Sequence, residues 1–379
     1  MAEPRYVDRS GRANRSLAAV LLVAVSTATF LVAPGANPGS ASSPTTPDVP
    51  AAAANRTQIA WSRFTDREFS AARIVSSKSR GDRVRELTHS RNGVSDIDPS
   101  ISPNGRWIAF ERDFPNGSTA IGIVGANGRH ERVLDLGCER RCAADVSPTW
   151  TPDGHHLVFT RVIGPFDGPN NSAASAVLMI TDLAGHNVAR LSEPGIDGDY
   201  EDYKASFAPR GYVVFVRIRN SDVRAAVFRM SRDGMHVRRL TAWRLDADLP
   251  WISPARSGPT KNLVVFETFG HGAPRGLTQA VATVPARCRP IARCKRSLNL
   301  LTSQHSDPVA NFNPTWSPHG RRIAFVRFRA VDGSTPRGDI WTMRWDGTHK
   351  QVFARSPLFE FRPSWGVASR SASTTQQTP

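Results

Sequence analysis

Short apolar runs alternate with polar turns rich in Pro, Gly, Asp and Asn along most of the chain, and the alternation itself repeats. Each unit opens with Pro-x-(Trp/Ile/Phe)-(Ser/Thr/Ala)-Pro-x-Gly and runs straight into an apolar segment. The copies are Pro99–Gly105 before Trp107–Phe110, Pro148–Gly154 before Leu157–Phe159, Ala205–Gly211 before Val213–Phe215, and Pro314–Gly320 before Ile323–Phe325. Pro250–Pro254 begins a fifth copy, with a longer turn before Leu263–Phe266. Pro presets φ and Gly supplies a positive φ, so Pro-x-Gly between two apolar runs predicts a tight hairpin. Two further strands follow in each unit. After the Pro148 copy they are Val177–Ile180 and Val188–Leu191, turning at Ala184-Gly185; after the Pro314 copy they are Ile340–Met343 and Lys350–Phe353, turning at Asp346-Gly347. Four antiparallel strands per repeat make a propeller blade.

The ends of the repeat region complete one another. Gln58–Trp61, Ala71–Val75 and Val84–Leu87 are three strands with no first strand before them, whereas Arg362–Gly366 is a first strand with nothing after it. Pairing them gives a composite sixth blade that closes the ring and leaves no exposed edge. The fold class expected is all-β: a six-bladed β-propeller of four-stranded antiparallel blades, over residues 55–367.

The flanks read differently. Arg5, Arg9, Arg12 and Arg15 precede an uncharged apolar run, Leu17–Ala33, so residues 1–33 are expected to be a signal peptide or signal anchor. With the arginines on its N-terminal side, the positive-inside rule places the bulk of the chain outside the cytoplasm, secreted or held by one N-terminal helix. Residues 34–54 are a Pro/Ala/Ser linker and residues 368–379 a Ser/Thr/Gln-rich tail, both expected to be disordered.

Composition adds little to the fold but constrains partners. The 379 residues are 40% hydrophobic with four cysteines, which excludes a disordered chain and a disulfide scaffold. The net charge is +16, and only five of the 49 basic residues are lysine. That charge points to an anionic partner, or only to the arginine bias of a GC-rich genome.

The Pro-x-Trp-Ser-Pro-Asp-Gly core and the later Asp-Gly turn resemble the TolB-type, WD-like β-propeller repeat over roughly residues 57–367. That family includes a periplasmic translocation protein, and the same repeats form the propellers of some serine peptidases. The resemblance implies a binding platform outside the cytoplasm. Only a short linker stands where the Gram-negative protein has an N-terminal α/β domain, so that protein's lipoprotein partner is not carried over.

Catalytic motifs are few. No Gly-x-Ser-x-Gly elbow, His-Glu-x-x-His or phosphate loop occurs. One constellation follows the repeat. Five positions before each motif aromatic or Ile stand Asp96, Asp145, Asp202, Ala247, Asn311 and Glu360, just ahead of the innermost strand. They are expected to ring one channel mouth. Either they take a cation or an amine-bearing ligand, or each bonds nearby backbone N–H groups or an arginine of the next blade. The cysteines form two local pairs, Cys138 with Cys142 and Cys288 with Cys294, expected as disulfides in an exported protein; a single zinc site made of all four is the rival. Arg287, Arg289, Arg293, Lys295 and Arg296 form a basic patch around the second pair, suited to an anionic cell-wall polymer or lipid headgroups, or simply solvated.

Two functions compete. One is a monomeric, non-enzymatic platform for an envelope protein or peptide, with no cofactor. The other is a lactonase-like propeller hydrolase with calcium or another divalent cation at the channel mouth, held by Asp145, Asp202, Asn311 and Glu360. Nucleic acid is disfavoured for an exported domain.

Overall fold

The computed structural model describes residues 57–369, apart from 79–80, 92, 138–141, 165–174, 195–198, 210, 270–278, 289–290, 303–308 and 330–336. The expected export segment, the linker, most of the tail and Cys138 lie outside the described residues.

Six four-stranded antiparallel sheets follow one another around a ring. Blade 1 is composite: its inner strand is Glu360–Val367, followed outward by Thr57–Phe64, Ala72–Ser77 and Arg85–Glu86. Blade 2 runs outward through Ser95–Ile101, Trp107–Asp113, Thr119–Gly125 and Arg132–Val133, and blade 3 through Cys142–Trp150, His156–Ile163, Ser175–Asp182 and Ala189–Arg190. Blade 4 comprises Tyr200–Phe207, Val213–Arg219, Arg224–Met230 and Arg238–Arg239; blade 5, Ala247–Ile252, Leu263–Thr268, Ala280–Pro285 and Asn299–Leu300; blade 6, Val309–Trp316, Arg322–Arg329, Arg337–Arg344 and Gln351–Ala354. The first and last described strands pair, with Gln58 opposite Gly366, so the ring is closed as the sequence predicts.

The core lies between blades. Second strands are buried on both faces, which is why they read as unbroken apolar runs such as Val213–Val216. In one sandwich, Ala109, Ile121, Ile123 and Leu134 of blade 2 pack on Trp150, Leu157 and Phe159 of blade 3. The repeat motif is the hinge of this packing. Trp150 Nε1 donates to Ser100 O of the preceding blade and Trp316 Nε1 to Trp251 O, while the amides of Ile101 and Ile252 donate to Ser364 Oγ and Ser206 Oγ. The small hydroxyl before the motif aromatic therefore ties one inner strand to the next.

Outer turns interlock as well. Gly234 of blade 4 has φ +83°, and a Cβ placed there would lie 2.2 Å from Leu191 O of blade 3; Gly117 has φ +84° with nothing within 4 Å. Gly234→Ala is expected to destabilise the protein by about 2 kcal/mol or more, and Gly117→Ala by only about 1 kcal/mol. Urea unfolding followed by Trp fluorescence measures both, and equal losses would mean that the inter-blade contact contributes nothing.

Cys288 and Cys294 form a disulfide in the expanded connection of blade 5, which also carries a short helix, Ile291–Arg296, where the sequence suggests only a loop. Cys142 is disulfide-bonded as well, and no described cysteine is free, so the four-cysteine zinc site is set aside. Cys288→Ser with Cys294→Ser should cost about 2 kcal/mol for so short a loop, read as a lower urea midpoint at unchanged slope.

Candidate functional site in the propeller channel

Every inner strand carries a bulge three residues before its motif aromatic or Ile, visible as a register slip against the second strand. The six bulge residues are Asp98, Ser147, Lys204, Leu249, Asn313 and Arg362, with φ between 47° and 56°. None is glycine, and a left-handed conformation costs an L-residue about 1 kcal/mol or more. The strain is met from neighbouring residues. Four bulge amides are held by the second strand of the preceding blade: Asp98 N donates to Ser62 Oγ, Ser147 N to Glu111 Oε2 at 3.0 Å, Lys204 N to Thr160 Oγ1, and Asn313 N to Glu267 Oε2 at 2.7 Å. Arg362 N instead uses Asn313 Oδ1, and Leu249 N the carboxylate of Asp248.

These bulges set a charged cluster inside the ring. Lys204 Nζ is ion-paired with Asp98 Oδ2, and Arg362 Nη1 reaches the same oxygen at 2.7 Å. Lys204 belongs to blade 4 and Asp98 to blade 2, so their pair joins non-adjacent blades and reaches over the channel. Glu111 and Glu267 are buried beside it, and Asp113, two residues beyond Glu111 on the same strand face, is partly buried with no partner for Oδ1. Burial alone would raise Asp98, but Arg362 and Lys204 overcome it and hold that carboxyl at about 2. Burial, then the neighbouring Glu111, raises Asp113 to about 8; burial, then Asp248, raises Glu267 to about 7. Glu111 is raised chiefly by burial. Burial works against the Arg362 cation, yet Asp98, Glu111, Asp113 and Glu267 together raise its pKa.

The signs of these shifts oppose one another. Ordinary unfolded carboxyls titrate near about 4. Asp113 and Glu267 keep protons that the unfolded chain has released, so their contribution to stability falls as pH rises from about 4 to 8. Asp98 contributes stability above about pH 4 that is lost as pH falls toward 2. Asp113→Asn is therefore expected to flatten the alkaline decline in stability between pH 6 and 9, and a stability profile identical to that of the unmodified chain would contradict this.

The carboxylates singled out in the sequence sit nearby, each clamped by an arginine. Arg112 grips Asp96 at 2.7 and 2.9 Å, Arg161 grips Asp145 at 2.8 and 2.8 Å, Arg217 grips Asp202 at 2.7 and 2.8 Å, and Arg63 reaches Glu360 at 2.9 Å. All four carboxylates are buried. Each arginine belongs to the second strand of the same blade, directly opposite in register, and not to the next blade. Each also lies over the aromatic two residues before it, at 5.3 to 5.8 Å for Phe110, Phe159, Phe215 and Trp61. The sequence carries this clamp as an aromatic-x-Arg on every second strand except that of blade 5, where Thr268 faces Ala247. Asn311 faces Arg327, whose guanidinium stacks on Trp341 at 4.8 Å. Among the described residues, no group of three or more His, Cys, Asp or Glu is placed to hold a metal ion. In the basic patch, Arg287, Arg293 and Arg296 are exposed, whereas the side chains of Arg289 and Lys295 lie outside the described residues.

No family model matches the chain, and no curated protein does. Solved structures do. TolB from Acinetobacter baumannii is 18% identical over 82% of this chain and 66% of its own length, with a TM-score of 0.56. A TolB-assigned protein of Agrobacterium tumefaciens is 15% identical over 82% of this chain and 98% of its own, with a TM-score of 0.54. In fold, this is a TolB-like propeller. A propeller in a nidogen/laminin complex is similarly close, at 11% identity and a TM-score of 0.55, so the likeness is one of architecture. The TolB-like propeller spans 66% of the Acinetobacter protein.

Proposed function

We propose that this TolB-like propeller is a non-enzymatic binding platform outside the cytoplasm, and that its channel mouth receives cationic side chains of an envelope protein or peptide. The observation that carries the reading is the channel cluster: five carboxyl residues, Asp98, Glu111, Asp113, Asp248 and Glu267, interact electrostatically around the cations Lys204 and Arg362. Carboxyls that burial and like-charged neighbours keep at least half protonated at neutral pH are poised to exchange the proton for an ammonium or guanidinium group. Position supports the same end of the ring. Ser95 pairs with Asp113 there, beside the connections from second to third strands, which include the long segments 164–174 and 269–279. Long connections on a rigid scaffold are where recognition usually resides. The disulfide supports an oxidising compartment. The hydrolase reading has less support, because three of its four proposed metal ligands, Asp145, Asp202 and Glu360, are already neutralised by arginines.

The test is a pull-down from envelope extract with the full chain and with its Asp113→Asn, Glu267→Gln variant. A partner held by the unmodified chain, eluted by salt and lost by the variant at unchanged circular dichroism, is expected. Equal retention by both, or no partner at all, would count against a channel site.

A further inference from the structure

The outer strands offer an internal comparison that exposes a second site, remote from the channel. Arg85, Arg132 and Arg238 occupy the same place on the outer strands of blades 1, 2 and 4, opposite Ser76, Ile123 and Arg229. In blades 1 and 2 the arginine reaches into the next blade's outer turn. Arg85 Nη1 donates to Asn127 O at 3.4 Å and Arg132 Nη2 to Leu183 O at 2.6 Å. In blade 4, Arg238 makes no such bond among the described residues. The next blade's turn is the disulfide-tied connection of Cys288–Cys294, and Nε, Nη1 and Nη2 of Arg238 are all covered without a hydrogen-bond partner. Three buried donor atoms left unmatched are costly.

A third arginine approaches the same spot. Arg229 lies over the ring of Tyr212 at 5.2 Å. Tyr212 donates to Asn262 Oδ1 at 2.9 Å; burial raises its hydroxyl to about 12, with Arg287 and Arg229 close enough to act against that rise. Cys288 and Leu298 pack on the apolar cluster that contains Tyr212, which fixes the disulfide connection against blade 4. Arg287, at the start of that connection, is exposed and lies close to Tyr212, and Arg238 sits on the outermost strand opposite Arg229.

We propose that Arg229, Arg238 and Arg287 form a phosphoryl-binding site in the groove between blades 4 and 5. Guanidinium forks match phosphate oxygens in pairs, and the covered donors of Arg238 find no acceptor among the described residues. A bound phosphoryl group would replace the carbonyl that blades 1 and 2 provide. The chemistry is shared by free phosphate esters and by phosphodiester lipid headgroups.

The experiment compares the full chain with its Arg238→Met and Arg85→Met variants, using glycerol 1-phosphate and phosphatidylglycerol vesicles as probes. In phosphate-free buffer, Arg238→Met should melt at or above the temperature of the unmodified chain, because it removes unmatched donors, while Arg85→Met should melt lower. Glycerol 1-phosphate should raise the melting temperature of the unmodified chain and of Arg85→Met, and Arg238→Met should bind about tenfold more weakly or worse. Binding to both probes with the same dependence on Arg238 assigns the site to the phosphoryl group itself; binding to vesicles alone, still lost in Arg238→Met, assigns it to the headgroup. A melting temperature that does not respond to the ester, together with vesicle binding unchanged in Arg238→Met, would overturn the proposal.

Discussion

Arg362→Met will destabilise the propeller by about 3–5 kcal/mol at pH 7, the usual consequence of removing one partner from a buried ionic group. Arg362 is the last chain segment's contribution to the ring centre, in the composite blade that closes the propeller. Its side chain is 11% exposed and its guanidinium interacts with Asp98, Glu111, Asp113 and Glu267. Methionine preserves much of the side chain's volume, so the loss reads electrostatics and not a cavity. Without the arginine, the Asp98 carboxylate keeps Lys204 as its ion-pair partner, and the three carboxyls that already resist ionisation resist it further. The effect should therefore shrink as pH falls toward 5 and those groups take up protons. Urea unfolding at pH 5 and pH 7 measures both values; a loss below about 1 kcal/mol at pH 7 would show that the cluster behaves as a solvated surface group.

Arg161→Met should be as harmful, again about 3–5 kcal/mol, because it leaves Asp145 buried and unmatched. Here the protein supplies its own control. Blade 5 has Ala247 and Thr268 where blade 3 has Asp145 and Arg161, and it forms the same inner pair of strands with the same bulge. A clamp removed whole is thus compatible with the blade. The double variant Asp145→Ala, Arg161→Thr copies blade 5 and should lose markedly less than the sum of the two single changes, with a coupling of about 2 kcal/mol or more. Additive losses would mean that the two side chains act independently despite their paired contacts.

The strands, the blade count and the ring closure were legible because they rest on local chemistry. Pro-x-Gly dictates a turn, and an apolar run between two turns dictates a strand, so Pro99–Phe110 or Pro314–Phe325 declares a hairpin without reference to the rest of the chain. The residues near the channel were legible only in part. Asp96, Asp145, Asp202 and Glu360 stood out by repeat position, but their partners are matched through strand register, which depends on the bulge at Asp98, Ser147, Lys204 or Arg362. A bulge in a left-handed conformation filled by Asp, Ser, Lys, Leu, Asn and Arg has no shared composition, so no motif announces it. The channel cluster is less visible still. Lys204 and Asp98 meet only because the ring is closed, and that closure is a property of the whole repeat array and not of any one copy. Arg238 was hidden among many arginines, and it stands out only when blades 1 and 2 show what its position ordinarily contacts.

The claim on which the functional reading rests is that protonated carboxyls in the channel give up their protons to a cationic ligand. Calorimetric titration of the full chain with a tetra-arginine peptide, at pH 6 and pH 8 in two buffers of different ionisation enthalpy, measures it directly. Tighter binding is predicted at pH 8, where Glu267 is mostly ionised and Asp113 is ionised to about half, with proton release to the buffer on binding at pH 6, and loss of both in the Asp113→Asn, Glu267→Gln variant. Binding of equal strength at the two pH values, without proton release and unaffected by the variant, would contradict it.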